Sequence, residues 1–533
     1  MWWTLGLIVA TVVLIYQLLK LYLTRNNSYW PKRNVKVVYS SEVATLFELF
    51  TKKKTLIGMD RAYYEKFTSV SSPPPRFGGI MEFRSPVLMV TDLDLIKQIL
   101  VKDFDHFVDR RPINFDEPTF QETVLNLEGQ KWKDVRSVLS PAFTTGKMKQ
   151  MFEQFNTCGK NFVQCVQSHP TSDNGHLVTI QDVVNRFTVD VIGATAFGMD
   201  TNALKDKDSE FLKMARKLSD VTMWRVVRNI FIFFVPKFAK VVGLKIMDAE
   251  IMNFFTGILR AALYNRETTG EKRNDFLQLL VEARAGELKS DGTEELDTFE
   301  KDAVLKTDLK PATTTGKKLF IDNLTIAQSF VFFTAGFDTV GALLNFAAYL
   351  LAVHQDVQEK VYDEVKTSME ASGEEIEYET VVRLEYMDML ISEILRLYPP
   401  ANRLERKCVM EYKIPDSDVT IVKDQIVVIP AGGIHMDPRI YPDPEKFDPE
   451  RFTQENKAKR HPYSYLAFGM GPRNCIGMRF ALFEAKVAIA YFVYYFHIEP
   501  TPKTPIPIKI DTKVGLNRPI ANLELKFTPR IHN

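Results

Sequence analysis

The chain has few cysteines, almost no net charge and no internal repeat. Only Cys158, Cys165, Cys408 and Cys475 occur in 533 residues, and no two form a CxxC pair. That scarcity suggests neither a zinc ribbon nor a disulfide scaffold, and it fits a reducing compartment such as the cytosolic side of a membrane. A formal net charge of +1 gives no basic face for nucleic acid, so no nucleic-acid partner is expected. The glycines of FGMGPRNCIG lack the strand–GxGxxG–helix setting of a dinucleotide site, and no flavin or nicotinamide unit is visible. What remains is an ordinary globular composition, 45% hydrophobic and 25% charged. Phenylalanine is frequent, at 38 residues, which points to large apolar packing or an apolar ligand pocket.

The first long apolar run is Trp2 to Leu23, broken by Thr4, Thr11, Gln17 and Lys20. Some twenty helical residues reach ~30 Å, the thickness of a bilayer core. Trp2 and Trp3 suit a headgroup zone, while Lys20, Arg25, Lys32, Arg33 and Lys36 precede any acid. That asymmetry places the body of the protein in the cytosol. A cleaved signal peptide is the competing reading. It would want positive charge before the run and a small-residue cleavage site after it, and neither is present. The expected organisation is therefore a membrane anchor over 1–23, a basic linker over 24–40 and one catalytic domain over 41–533. Asn26-Asn27-Ser28 is a formal glycosylation acceptor that should stay bare in the cytosol.

The body reads as mainly α with a small β region. Ser71 to Pro75 punctuates the chain, and MEFRSPVLMV from Met81 looks like a strand. Ile180–Phe197 and the region around Phe254 to Leu263 carry helical periodicity. From Gly286 to Lys318 the sequence is polar, and a mobile surface loop is expected. Short β-like runs, Thr420 to Ile429 and Ala521 to Phe527, alternate with turns near the end. A second apolar run, Leu324 to Val353, fits either a transmembrane span or a helix buried in a large core. Asp338 in its middle argues for the core, because an unpaired carboxylate at the bilayer centre is costly.

The most informative segment is Phe468-Gly469-Met470-Gly471-Pro472-Arg473-Asn474-Cys475-Ile476-Gly477, followed directly by a long apolar helix. Cys475 stands at a helix N-terminus, where backbone N–H groups and the macrodipole favour a thiolate able to ligate iron. Gly477, without a Cβ, lets a flat macrocycle approach the backbone. A single cysteine is more often a small buried hydrophobe, but this run resembles the haem-binding signature of the cytochromes P450, FxxGxRxCxG, at every fixed position. Other segments follow the family order: Trp132 and Arg136 as WxxxR, Ala335-Gly336-Phe337-Asp338-Thr339 as AGx(D/E)T, Glu393 and Arg396 as ExxR, and Pro449-Glu450-Arg451-Phe452 as the PERF segment. The resemblance runs from about Arg110 to the C-terminus. It is closest to insect detoxification enzymes and their vertebrate drug-metabolising relatives.

The resemblance implies the cytochrome P450 fold and a haem-thiolate monooxygenase of the endoplasmic reticulum membrane, with Cys475 binding the iron of haem b. It implies haem-propionate contacts by Arg110, Trp132, Arg136, Arg406 and Arg473, and roles for Asp338 and Thr339 in delivering protons for O–O cleavage. Val340 stands where many relatives carry a second hydroxyl. Glu393, Arg396 and Arg451 receive a structural role. Leu125, Val331, Thr334, Ala335, Ala401, Asn402 and Leu516 match substrate-pocket positions for a lipophilic compound such as a plant toxin or insecticide. O2 is the oxidant. The resemblance also implies NADPH as the source of electrons, through a flavoprotein reductase, with cytochrome b5 as a further candidate donor. A biosynthetic hydroxylase of a hormone or fatty acid would use the same residues. A haem-thiolate isomerase fits less well, because Asp338-Thr339 keeps the acid–alcohol pair. A non-enzymatic haem- or lipid-binding membrane protein and a two-span transporter are the readings from other classes. Asn229 to Pro236 is an apolar run that suits either a dip into the membrane or core packing.

Overall fold

The computed structural model describes residues 2–37, 56–82, 85–111, 117–220, 247–285, 322–511 and 516–531, with isolated positions between 222 and 245. The run from Asn229 to Pro236, Ile232 apart, and the polar segment 286–318 lie outside the described residues. The chain falls into two compact units: Met1–Arg111 with Ala401–Pro442 and Tyr463–Leu466, and Pro112–Pro400 with Asp443–Pro462 and Ala467–Asn533.

In the first unit, helix α1 (Trp2–Thr24) turns Trp2, Trp3, Leu5 and Leu7 outward. Helix α2 (Leu56–Thr68) contributes Phe67 to a small core with Ile80, Val87, Met89 and Val428. That core lies on a four-stranded sheet ordered β1 (Phe77–Glu82), β2 (Ser85–Val90), β8 (Ile426–Ile429), β5 (Leu404–Lys407). The MEFRSPVLMV segment is thus not one strand. Its first residues end β1, and the chain reverses so that Glu82 lies opposite Ser85. Reversal pairs Ile80 with Val87 and buries both, which a single extended strand would not. The run from Thr420 divides likewise into β7 (Thr420–Ile421), paired with β6 (Tyr412–Lys413), and β8. Asp424 lies between them in the left-handed region at φ 65°, tolerated by Asp better than by most residues.

The second unit is helical. Its described helices include α3 (Gly129–Leu139), α4 (Phe152–Gln167), α5 (Ile180–Phe197), α6 (Glu210–Ser219), α7 (Ala249–Thr269), α8 (Asp322–Val353), α9 (Glu385–Leu397) and α10 (Met478–Tyr495). A sheet of β3 (Thr171–Ser172), β4 (Gly175–Thr179), β10 (Glu524–Pro529) and β9 (Phe496–Pro500), in that order, completes it. The two periodic helices read from sequence are α5 and α7. Helix α8 is apolar and long enough for a membrane span, yet 78% of its most apolar stretch is buried within the protein. It packs on α5, α10 and β9, and so is the core helix that Asp338 argued for. Phenylalanines line it. Phe333 stacks on Phe337 and lies 4.6 Å from Phe255, ring centre to ring centre, while Phe332 stacks on Phe276 at 4.4 Å.

Helix α10 buries one carboxyl that sequence reading passed over. Glu484 is wholly buried, and neither of its oxygens has a hydrogen-bond partner. Burial raises its pKa well above the usual 4.5, so the native state holds a proton that the unfolded chain gives up above that pH. Stability should therefore fall as pH rises above about 4.5, by up to about 1.4 kcal/mol per pH unit. Glu484→Gln is expected to remove that slope. Urea midpoints of both proteins at pH 6 and pH 8 would check it, and parallel curves would contradict the protonated carboxyl.

Candidate active site

The loop before α10 is closed by its own backbone. Cys475 N–H donates to the Phe468 carbonyl at 2.8 Å and Asn474 N–H to the Gly471 carbonyl at 3.0 Å. Gly469 and Gly471 sit at φ 70° and 75°, a conformation that favours glycine. The turn leaves Cys475 exposed, while α10 is buried along nearly all its length. The thiol lies two residues ahead of Gly477, the N-cap of that helix, where the field of the unpaired N–H groups stabilises an anion. A Cβ added at Gly477 would meet nothing nearer than a Phe143 ring carbon at 3.9 Å. The backbone at Gly477 is thus open to close approach. Among the described residues no group of three or more His, Cys, Asp or Glu suits a bare metal ion.

Donors surround the loop. Helix α3 carries Trp132, buried, and Arg136 one turn later. The Arg136 guanidinium donates to Asn474 Oδ1 at 2.9 Å. Arg473 is buried with its guanidinium 4.4 Å from the centre of the Trp132 indole, and it donates to the Leu127 carbonyl. The structure thus brings Trp132, Arg136 and Arg473 together beside Cys475. Guanidinium and indole N–H groups suit carboxylates such as haem propionates, so this donor set and the exposed thiol fit haem. Arg110 and Arg406 belong to the first unit, where Lys407 N–H donates to the Asp109 carbonyl at 2.7 Å and sets the two arginines opposite one another. Arg406 is buried there.

Helix α8 opens at one place. It is buried on both sides of a stretch in which Ala335 is exposed and Thr334, Gly336, Asp338 and Thr339 are half-buried. Phe332, one turn before Ala335, meets Phe480 of α10 at 5.1 Å between ring centres, which brings this stretch to the start of the cysteine helix. The glycine of the pentapeptide answers to packing. A Cβ at Gly336 would come within 2.7 Å of Ile192 on α5, so Ala335 is the small residue that faces open space. Thr339 Oγ1 donates to the Ala335 carbonyl at 2.6 Å. Asp338 Oδ1 accepts from Ser219 Oγ at 2.6 Å and lies 3.9 Å from Arg518 Nη1. Burial raises its pKa above the usual carboxylate value, against the pull of Ser219 and Arg518. Sequence reading missed both partners, which come from the end of α6 and from the C-terminal loop.

The remaining positions take these places. Glu393 and Arg396 form a fully buried bidentate pair on α9, at 2.7 and 2.8 Å. Arg451 stands 3.5 Å from the same carboxylate, which also accepts from Asp448 N–H at 2.9 Å. Leu125 is 37% exposed, Val331 is buried in the α8 packing and Leu516 is half-buried. In the first unit Ala401 is exposed, and Asn402 is buried with its carbonyl accepting from Gly432 N–H at 2.8 Å.

Comparison with known proteins agrees with these features. The sequence profile of the Cytochrome P450 family matches residues 56–527. The chain is similar to cytochrome P450 9e2 of Blattella germanica, with 38% identity over 97% of this chain and 95% of that protein. It is 36% identical to cytochrome P450 6j1 of the same insect, over 95% of each chain. It is 33% identical to probable cytochrome P450 9f2 of Drosophila melanogaster, over 95% of this chain and 96% of that one.

Proposed function

The chain belongs to the cytochrome P450 family of haem-dependent monooxygenases, and on that premise we propose that it oxygenates lipophilic foreign compounds at the cytosolic face of the endoplasmic reticulum membrane. The observation that carries the site assignment is the exposed Cys475 thiol beside the opened stretch of α8. Haem bound through that thiolate supplies the activation of O2 and the transfer of one oxygen atom to substrate. Trp132, Arg136 and Arg473 bind and orient its propionates. The Asp338 carboxyl, made more basic by burial and held at Oδ1 by Ser219 with Arg518 nearby, passes a proton on, and Thr339, now bonded to the Ala335 carbonyl, turns to share it. Leu125, Thr334, Ala335 and Leu516 exclude water and admit apolar groups. Helix α1, with its outward apolar face, anchors the chain, and residues 24–40 link it to the catalytic domain over 41–533. NADPH provides electrons through a membrane flavoprotein reductase, with cytochrome b5 as a second donor.

The test is oxygen incorporation from labelled O2 into a lipophilic insecticide, with the full chain and reductase in vesicles and NADPH added. Incorporation is expected in wild type. Asp338→Asn should lower product per NADPH oxidised by about a hundredfold, the scale of a lost acid–base group. No NADPH-dependent oxygen uptake by the haem-loaded protein would leave a binding protein in place of an enzyme.

A further inference from the structure

Helix α8 contains one fully buried amide whose partners lie outside the helix. Gln328 is 1% exposed. Its Oε1 accepts from Val124 N–H at 2.9 Å and its Nε2 donates to the Glu122 carbonyl at 2.6 Å. The side chain pairs with that stretch of backbone as a neighbouring strand would, taking one N–H and one C=O from its edge. The segment is also folded on itself. Leu127 N–H and Asn126 N–H both reach the Thr123 carbonyl at 2.9 Å, and Asn126 Nδ2 reaches the Phe120 carbonyl at 3.0 Å. Its far end is held by Arg473, which donates to the Leu127 carbonyl. Residues 122–127 are therefore pinned at one end by the core helix and at the other by the cysteine loop. Leu125, exposed, stands between the two pins.

We propose that Gln328 is a specificity-determining positioning residue, which sets how far Leu125 stands from the open stretch of α8 two turns along the same helix. The proposal rests on the reading that haem binds at Cys475 and that Leu125 faces its substrate. A buried amide is a stiff anchor, since losing it takes away the partner of one partly buried N–H and one partly buried C=O. Apolar contact alone would let the loop slide, whereas two in-plane hydrogen bonds fix its register. Gln328 touches neither haem nor substrate, so its effect is on the shape of the wall.

The experiment compares wild type with Gln328→Met, which keeps volume and removes both bonds, and with Gln328→Glu, which keeps the acceptor and loses the donor. Two readouts are taken on the haem-loaded full chain: hydrogen exchange at the Val124 amide, and spectral titration with imidazole and with imidazoles bearing alkyl tails of increasing length. The expected result for Gln328→Met is exchange at Val124 faster by at least tenfold, an unchanged affinity for imidazole and a severalfold weaker affinity for the long-tailed members. Gln328→Glu should fall between, and it serves if Gln328→Met fails to fold. Unchanged exchange at Val124 would overturn the clamp. Faster exchange with the same dependence on tail length would overturn the specificity role. Absence of imidazole binding in every protein would overturn the haem reading and the specificity role with it, and the Val124 amide tells that result from a failed clamp.

Discussion

Cys475→Ala is expected to abolish the strongly red-shifted Soret band that the reduced, carbon monoxide-treated wild type should show. The band would report the Cys475 thiolate donating electron density to haem iron, and alanine has no ligand to offer. The loss should be complete and should come without unfolding. Cys475 is exposed, and exposed substitutions usually stay within about 0.5 kcal/mol of the parent, so far-ultraviolet dichroism and the urea midpoint of the haem-free protein should barely move. No other cysteine can take its place. Cys158, Cys165 and Cys408 are buried. Burial raises the Cys158 and Cys165 thiols above their usual values and pushes Cys408 up to about 11, which disfavours the thiolate. A red-shifted band that survives in Cys475→Ala would sink the assignment.

Much of this site could be read in advance because its parts are short and local. The cysteine loop needs two glycines in the left-handed region, a cation and a thiol within ten residues, and a sequence shows all of them in one window. The same holds for Trp132 and Arg136, one turn apart on a helix. The partners of Asp338 could not be read in that way. Ser219 and Arg518 come from distant segments, and no periodicity says which loop a half-buried carboxylate will meet. Gln328 and Glu484 were hidden by their surroundings. Each sits in a long apolar run, where one polar side chain hardly alters the pattern, although its burial makes it consequential. Strand ends failed for a related reason. Apolar alternation marks which residues extend, but the reversal between Glu82 and Ser85 depends on the pairing of Ile80 with Val87.

The ExxR pair should give the largest loss of stability. Glu393 and Arg396 have fully buried side chains, and removing one member of such a pair costs about 3–5 kcal/mol of a total that is commonly about 5–15 kcal/mol. Glu393→Ala is therefore expected to give little or no folded protein, read as soluble yield and urea midpoint. Arg396→Met should cost less. It leaves the Glu393 carboxylate with Asp448 N–H at 2.9 Å and with Arg451 at 3.5 Å, whereas Glu393→Ala takes one acceptor from three donors at once. Arg396→Lys should not restore wild-type stability, because an ammonium cannot reproduce two parallel bonds to one carboxylate. Replacing both members by Leu and Met should recover part of the loss, since well-packed apolar side chains often match a buried ion pair. Recovery should stop short of wild type, because Asp448 N–H and Arg451 would still lack the carboxylate. Equal losses for Glu393→Ala and Arg396→Met would mean that the pair acts alone and that Arg451, despite its place beside it, contributes nothing to holding α9.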